Sequence, residues 1–135
     1  MSTTSVLGAV EALVKSTNDA IGDSKPSLFF NDEKVPDQSG NWLRVSIMTG
    51  DSKPYRGGSG VSGNLVSGVL HLSFFGIPAR GEGELTDLAD VFRPVFSKTK
   101  IGIVNFFAPS LPKKIQDDPS WLQLVVECPF DYEEP

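Results

Sequence analysis

Three segments of this chain alternate apolar and polar residues, and this pattern limits the fold more than any other feature. The segments are residues 42–48, 64–75 and 120–130. A period of two is typical of a half-buried β-strand, because successive side chains point to opposite faces of a sheet. The chain must therefore build a sheet that buries one face in a core. The core candidates on these strands are Val66, Leu70, Leu72, Phe74, Leu122, Leu124 and Val126.

The remaining segments supply helices and connections. Residues 3–17 and 83–97 carry apolar side chains at spacings of three and four, which predicts an amphipathic helix in each. We expect Pro94 to kink or end the second helix. Short strands are predicted over 28–30 and 100–107, a mobile hairpin loop over about 49–63, and a Pro-rich connection over 108–119.

These elements predict one domain over residues 1–135, since a chain of 135 residues suits a single core. The expected class is α+β, a mostly antiparallel sheet of four to five strands with two helices packed on one face. The second face of the sheet is also partly apolar, and a partner subunit is the simplest cover for it. The apolar residues predicted there are Trp42, Met48, Val69, Phe75, Trp121 and Val125.

Composition excludes several classes of function. The chain has 12 basic and 17 acidic residues, a net charge of −5, so it gains little from a phosphate backbone and nucleic-acid binding is not expected as its main task. One Cys and one His exclude an internal disulfide and a structural zinc site within one chain. Cys128 is predicted to be a buried small hydrophobe. We expect no signal peptide, no membrane span and no cofactor.

The sequence contains one candidate for a catalytic base. His71 shares a strand face with Ser67 and Ser73, so a small hydrolase using His71 is the alternative from a different class. No G-x-S-x-G sequence, which would place a nucleophile at a strand-to-helix turn, accompanies it. The Gly-rich run 56–60 lacks the Lys-Ser/Thr ending of a phosphate loop. The residues by themselves therefore do not indicate an enzyme.

Several short motifs occur in a characteristic order along the whole chain. They are LFFND at 28–32, NWLRV at 41–45, FFGIP at 74–78, RGEG at 80–83, WLQLVV at 121–126 and PFDYE at 129–133. In this order they resemble the tail terminator (tail-completion) proteins of long-tailed bacteriophages. The motifs are structural rather than catalytic.

The resemblance implies a structural virion protein. Such proteins form a ring, usually a hexamer, on the head-proximal end of the tail tube. The ring stops tube polymerisation, offers an attachment surface to a neck or connector protein, and lets DNA pass through its lumen without specific binding. The implied location is the virion tail or neck, after assembly in the host cytoplasm. Other neck rings, such as a head-closure or connector-adaptor protein, and a tail-tube subunit remain alternatives.

We expect two groups of residues to form the contacts of such a ring, one at its protein interfaces and one at its channel. The interface candidates are Lys53, Tyr55, Arg56, Trp42, Met48, Phe75 and Trp121. Asp131, Glu133 and Glu134 at the acidic chain end are candidates for facing the channel, with plain exposure to solvent as the alternative. An acidic lumen would let a polyanion slide without gripping it.

Overall fold

The computed structural model describes residues 3–22, 26–30, 40–56, 62–76, 83–115 and 121–134. Two helices and seven strands form in these ranges. In chain order they are α1 (Thr3–Asp19), β1 (Ser27–Phe30), β2 (Trp42–Arg56), β3 (Ser62–Gly76), α2 (Gly83–Phe92), β4 (Lys100–Ile101), β5 (Val104–Phe106), β6 (Lys113–Ile115) and β7 (Leu122–Glu134).

The strands form one sheet in the order β1-β2-β3-β7-β5-β4, with β6 also paired to β7. Only β1 and β2 run parallel among the described pairs. The expected α+β class with a mostly antiparallel sheet is confirmed. The expected count of four to five strands is wrong, because the short strands β4, β5 and β6 add to the sheet.

The predicted strand over 100–107 is two strands instead. Gly102 adopts a φ of 62°, a left-handed conformation that glycine reaches without steric cost, and the chain turns back there. Lys100 then lies opposite Asn105. The Pro-rich connection also contains strand β6, which pairs with β7 from Lys113 to Ile115.

The hairpin formed by β2 and β3 is longer than predicted. The strands pair from Trp42 opposite Phe75 to Arg56 opposite Ser62, with a register shift between Thr49 and Ser52. The pairing of these strands is confirmed, but most of the predicted loop 49–63 is strand. Residues 57–61 lie outside the described residues. The Gly and Ser residues of this segment are typical of turns, so its composition predicted a loop. Strand formation here depends on pairing with a distant segment, which local composition does not show.

The outer edge of β7 is paired along most of its length. Beyond β5, the Phe107 N–H donates to the carbonyl of Pro129 at 3.0 Å and the Ser110 N–H donates to that of Glu127 at 2.8 Å. The Ser110 hydroxyl in turn accepts from the Glu127 N–H at 3.0 Å. Arg93 Nε donates to the Ser110 carbonyl at 3.0 Å, which ties this segment to the turn after α2. Residues 107–112 thus continue the sheet edge between β5 and β6.

The core lies between the helices and one face of the sheet. Buried side chains of both helices and of the central strands form one hydrophobic cluster, whose large members include Phe74, Phe92, Phe96, Phe130 and Tyr132. The strand residues predicted as core belong to this cluster, except that Leu122 is only partly buried against it. As predicted, α2 ends near Pro94: its last residue is Phe92, and a 3₁₀ turn over Arg93–Phe96 follows. No helix in the described ranges is both long and apolar enough to span a bilayer.

Candidate functional site: the open face of the sheet

The three central strands turn half of their side chains away from the core, and we call this side of the sheet the open face. The register sets it: Trp42 opposes Phe75, His71 opposes Ser46, and Glu127 opposes His71. The alternation read from the sequence predicted these positions correctly. Of the described side chains on the open face, only Trp42 is buried; the others are half-buried or exposed.

An aromatic patch occupies one end of the open face, and we define it as Phe29, Trp42, Phe75 and Trp121. The rings of Trp42 and Phe75 stack with centroids 3.9 Å apart and planes 6° from parallel. Trp121 meets Trp42 edge-on at 5.8 Å, and Phe29 does so at 6.1 Å. Aromatic pairs in such arrangements contribute about 0.5–1.5 kcal/mol beyond their buried area. These contacts stabilise the arrangement of the four rings in the single chain.

Trp42 lies at the centre of the patch and is only 8% exposed. Its indole N–H is buried and has no hydrogen-bond partner among the described residues. An unpaired buried donor costs about 1–3 kcal/mol of folding free energy. The packing of its ring against Phe75, Trp121 and Phe29 stabilises Trp42 in this position.

The structure brings together three of the predicted interface residues. Trp42, Phe75 and Trp121 belong to the aromatic patch. Met48 lies farther along the same face, opposite Val69, and is 61% exposed. Sequence reasoning missed the fourth member, Phe29. Its position depends on the parallel pairing of β1 with β2, for which the sequence carries no local signal.

The other interface candidates lie near the far end of the hairpin. Lys53, Tyr55 and Arg56 are in β2, opposite Leu65, Gly63 and Ser62. The structure describes their backbone in the strand, and their part in an interface stays a prediction. They lie more than ten residues along β2 from Trp42, so the structure does not group them with the aromatic patch.

The acidic end of the chain belongs to β7. Asp131 is on the open face, half-buried, and accepts a hydrogen bond from Asn105 Nδ2 at 3.4 Å. Glu133 is exposed, and Glu134 pairs with Asn64 at the end of the strand. The last strand was predicted to end at residue 130, and β7 continues past it to include all three residues. Their orientation toward a channel stays a prediction.

An ion pair crosses the open face near its β6 edge. Lys113 Nζ lies 2.8 Å from Glu127 Oε1, and both side chains are substantially exposed. The hydrogen bond from Lys113 lowers the pKa of the Glu127 carboxyl and outweighs the opposing effect of desolvation. Exposed pairs of this kind contribute at most about 1 kcal/mol to stability. The pair keeps the surface polar at this edge, away from the aromatic patch.

His71 lies in the middle of the open face, where the hydrolase alternative can be judged on geometry. Its direct neighbours across the strands are Ser46 and Glu127 rather than Ser67 or Ser73. A catalytic base needs an acid that orients it, and the carboxylate of Glu127 is bound by Lys113. The neighbouring residue types therefore suit a hydrolase, and the side-chain hydrogen bond that the structure gives Glu127 comes from Lys113 rather than from His71.

The remaining reactive groups do not form a site in the ranges that the structure describes. Cys128 is fully buried, as predicted, and desolvation raises the pKa of its thiol to about 12, against the smaller effect of the Arg93 charge. A thiol in that state is a poor nucleophile. No group of three or more His, Cys, Asp or Glu within those ranges is arranged to hold a metal ion.

Comparisons with known proteins bear on the fold. No protein-family model and no curated protein matches the chain. A solved structure is similar to it with a TM-score of 0.65 and 15% sequence identity, over 100% of this chain and 96% of that one. At this identity the likeness shows a shared fold, over nearly the full length of both chains, and carries no information about function.

Proposed function

We propose that this chain is a structural virion protein that forms a ring, a hexamer in the simplest case, on the head-proximal end of a phage tail tube. The ring stops tube polymerisation and offers its other side to a neck or connector protein. DNA passes through the lumen without specific binding. The proposal rests on the motif order that resembles tail terminators and on the form of the open face.

The observation that carries the proposal is the aromatic patch on a sheet face where nearly all described side chains remain accessible. Phe75 and Trp121 are half-buried in the single chain and pack on Trp42. Protein interfaces are enriched in Trp, Tyr and Phe at their centres, and pre-ordered aromatic rings lose little entropy on binding. A ring needs two different surfaces on each subunit, which meet head to tail. The open face is the first of these surfaces.

Three other assignments of the open face compete with this one. Another neck ring would use the same surface in a different layer of the virion. A tail-tube subunit would polymerise from both sides, so the purified protein would form filaments instead of stopping them. The small hydrolase would use His71, which has Ser46 and Glu127 as its neighbours across the strands.

A tube-elongation assay tests the capping function. The tail-tube protein of the same phage is polymerised with and without this protein, and tube lengths are measured by electron microscopy. We expect shorter tubes, each with a ring at one end only, because a cap occupies the growing end. Unchanged lengths with no end-bound density would contradict the proposed function, and long filaments of this protein alone would favour the tube-subunit alternative.

A further inference from the structure

The β4–β5 hairpin forms one edge of the open face. Lys98, Lys100, Asn105 and Phe107 line an open hollow of about 410 Å³. Lys100 opposes Asn105, and Asn105 opposes Asp131, so the residues from these two strands face the side of the sheet away from the helices. Phe107 is 48% exposed, so the hollow combines an accessible aromatic ring with two ammonium groups.

The two lysines of this hollow have no ion-pair partner in the part of the chain that the structure describes. Both are exposed. Asp131 lies opposite Asn105 in the neighbouring strand and accepts a hydrogen bond from the Asn105 side-chain amide at 3.4 Å. The hollow therefore presents positive charge beside an apolar ring, which suits a ligand that is both acidic and apolar.

The outer face of α2 carries both acidic and apolar side chains. Asp87, Asp90 and Val91 lie at spacings of three and four, so they share one side of the helix. All three are exposed, and Val91 is 43% accessible. Neither aspartate has an ion-pair partner among the described residues. The buried side of the same helix, with Leu85 and Phe92, faces the core.

We infer that the β4–β5 hollow of one copy binds the outer face of α2 of the next copy. Lys98 and Lys100 pair with Asp87 and Asp90, while Phe107 contacts Val91. The two surfaces carry opposite, uncompensated charge and lie on opposite sides of the sheet. The contact is therefore heterologous: each copy uses a different surface toward each neighbour, as closure of a ring requires. This inference rests on the self-assembly part of the proposed function and adds the identity of a contact.

A nucleic acid is the other polyanion that two lysines can attract. The hollow favours an acidic helix that also carries an apolar side chain, because Phe107 supplies an apolar contact beside the two lysines. A phosphate-backbone site would need a longer row of cations to gain from counterion release. The net charge of −5 also opposes it.

A charge-swap experiment tests the contact. One variant carries Lys98→Glu and Lys100→Glu, and the other carries Asp87→Lys and Asp90→Lys. Each alone places like charges in the contact, so we expect self-association to weaken by at least about tenfold in analytical ultracentrifugation. An equimolar mixture makes every contact complementary again, and rings in which the two variants alternate should form.

Matched controls place the same charge changes on the exposed side of α1. Lys15→Glu and Glu11→Lys should assemble like the unaltered protein, and circular dichroism should show all variants folded. Normal assembly of both swap variants, or failure of their mixture to recover, would overturn the inference while leaving a ring of the unaltered protein in place. Loss of DNA binding by the lysine variant, with its assembly unchanged, would also overturn it. Absence of any ring from the unaltered protein would instead count against the proposed function.

Discussion

Replacing Phe75 with Ser is expected to convert the ring into folded single subunits. The substitution removes the phenyl group that stacks on the Trp42 indole, where the two centroids are 3.9 Å apart. It therefore leaves a gap in the aromatic patch. Central aromatic residues of interfaces contribute about 2 kcal/mol or more to binding, so the dissociation constant should rise at least about 30-fold. Trp121→Ser should act in the same direction. Sedimentation velocity over a concentration series measures the change.

The control for this variant is Leu111→Ser, which removes an apolar side chain that is 72% exposed and lies outside the patch. It should assemble normally, because loss of exposed apolar area away from the contact changes little. Thermal unfolding must show that the Phe75→Ser subunit remains folded. Rings formed equally well by Phe75→Ser and Leu111→Ser would remove the aromatic patch from the interface.

Gly68→Ala is expected to cause the largest loss of stability for the smallest chemical change. Gly68 lies in β3 opposite Phe130 and on the core side of the sheet. A Cβ there would lie 2.5 Å from Phe130 Cζ and 2.6 Å from the backbone oxygen of Met48. Backbone cannot yield as a flexible side chain can, so we expect a loss of about 2–3 kcal/mol in the free energy of unfolding. Urea denaturation measures it.

The matched control is Gly8→Ala in α1, where an added Cβ meets no atom within 4 Å. Alanine restricts the unfolded chain and favours helix, so this variant should gain about 0.5–1 kcal/mol. Equal and small effects of the two substitutions would mean that Phe130 does not occupy the space beside Gly68.

The sequence predicted which side chains share a face better than it predicted where strands begin and end. Alternation placed Trp42 and Phe75 on the open face and Cys128 in the core, because burial follows the period of two along a strand. The predicted strand boundaries were wrong where pairing between distant segments determines how far a strand extends. Residues 49–56 contain Gly, Asp and Pro, yet they are strand because β3 lies beside them.

The site was predictable in part for the same reason. Three members of the aromatic patch follow from alternation, whereas the position of Phe29 depends on the parallel pairing of β1 with β2, which places Phe29 opposite Arg44. The hollow at β4–β5 depends on the turn at Gly102. The composition of residues 100–107 is typical of one continuous strand and does not indicate that turn. A Gly followed by Ile and Val in the middle of a short apolar run was the one available signal for that turn.

Electron microscopy of the purified protein, with two-dimensional averaging, tests the central claim most directly. Closed rings of uniform diameter, with the open face of each subunit against its neighbour when the structure is fitted, are the expected result. Isolated subunits at every concentration tested, with Phe75 and Trp121 in contact with water alone, would contradict the account.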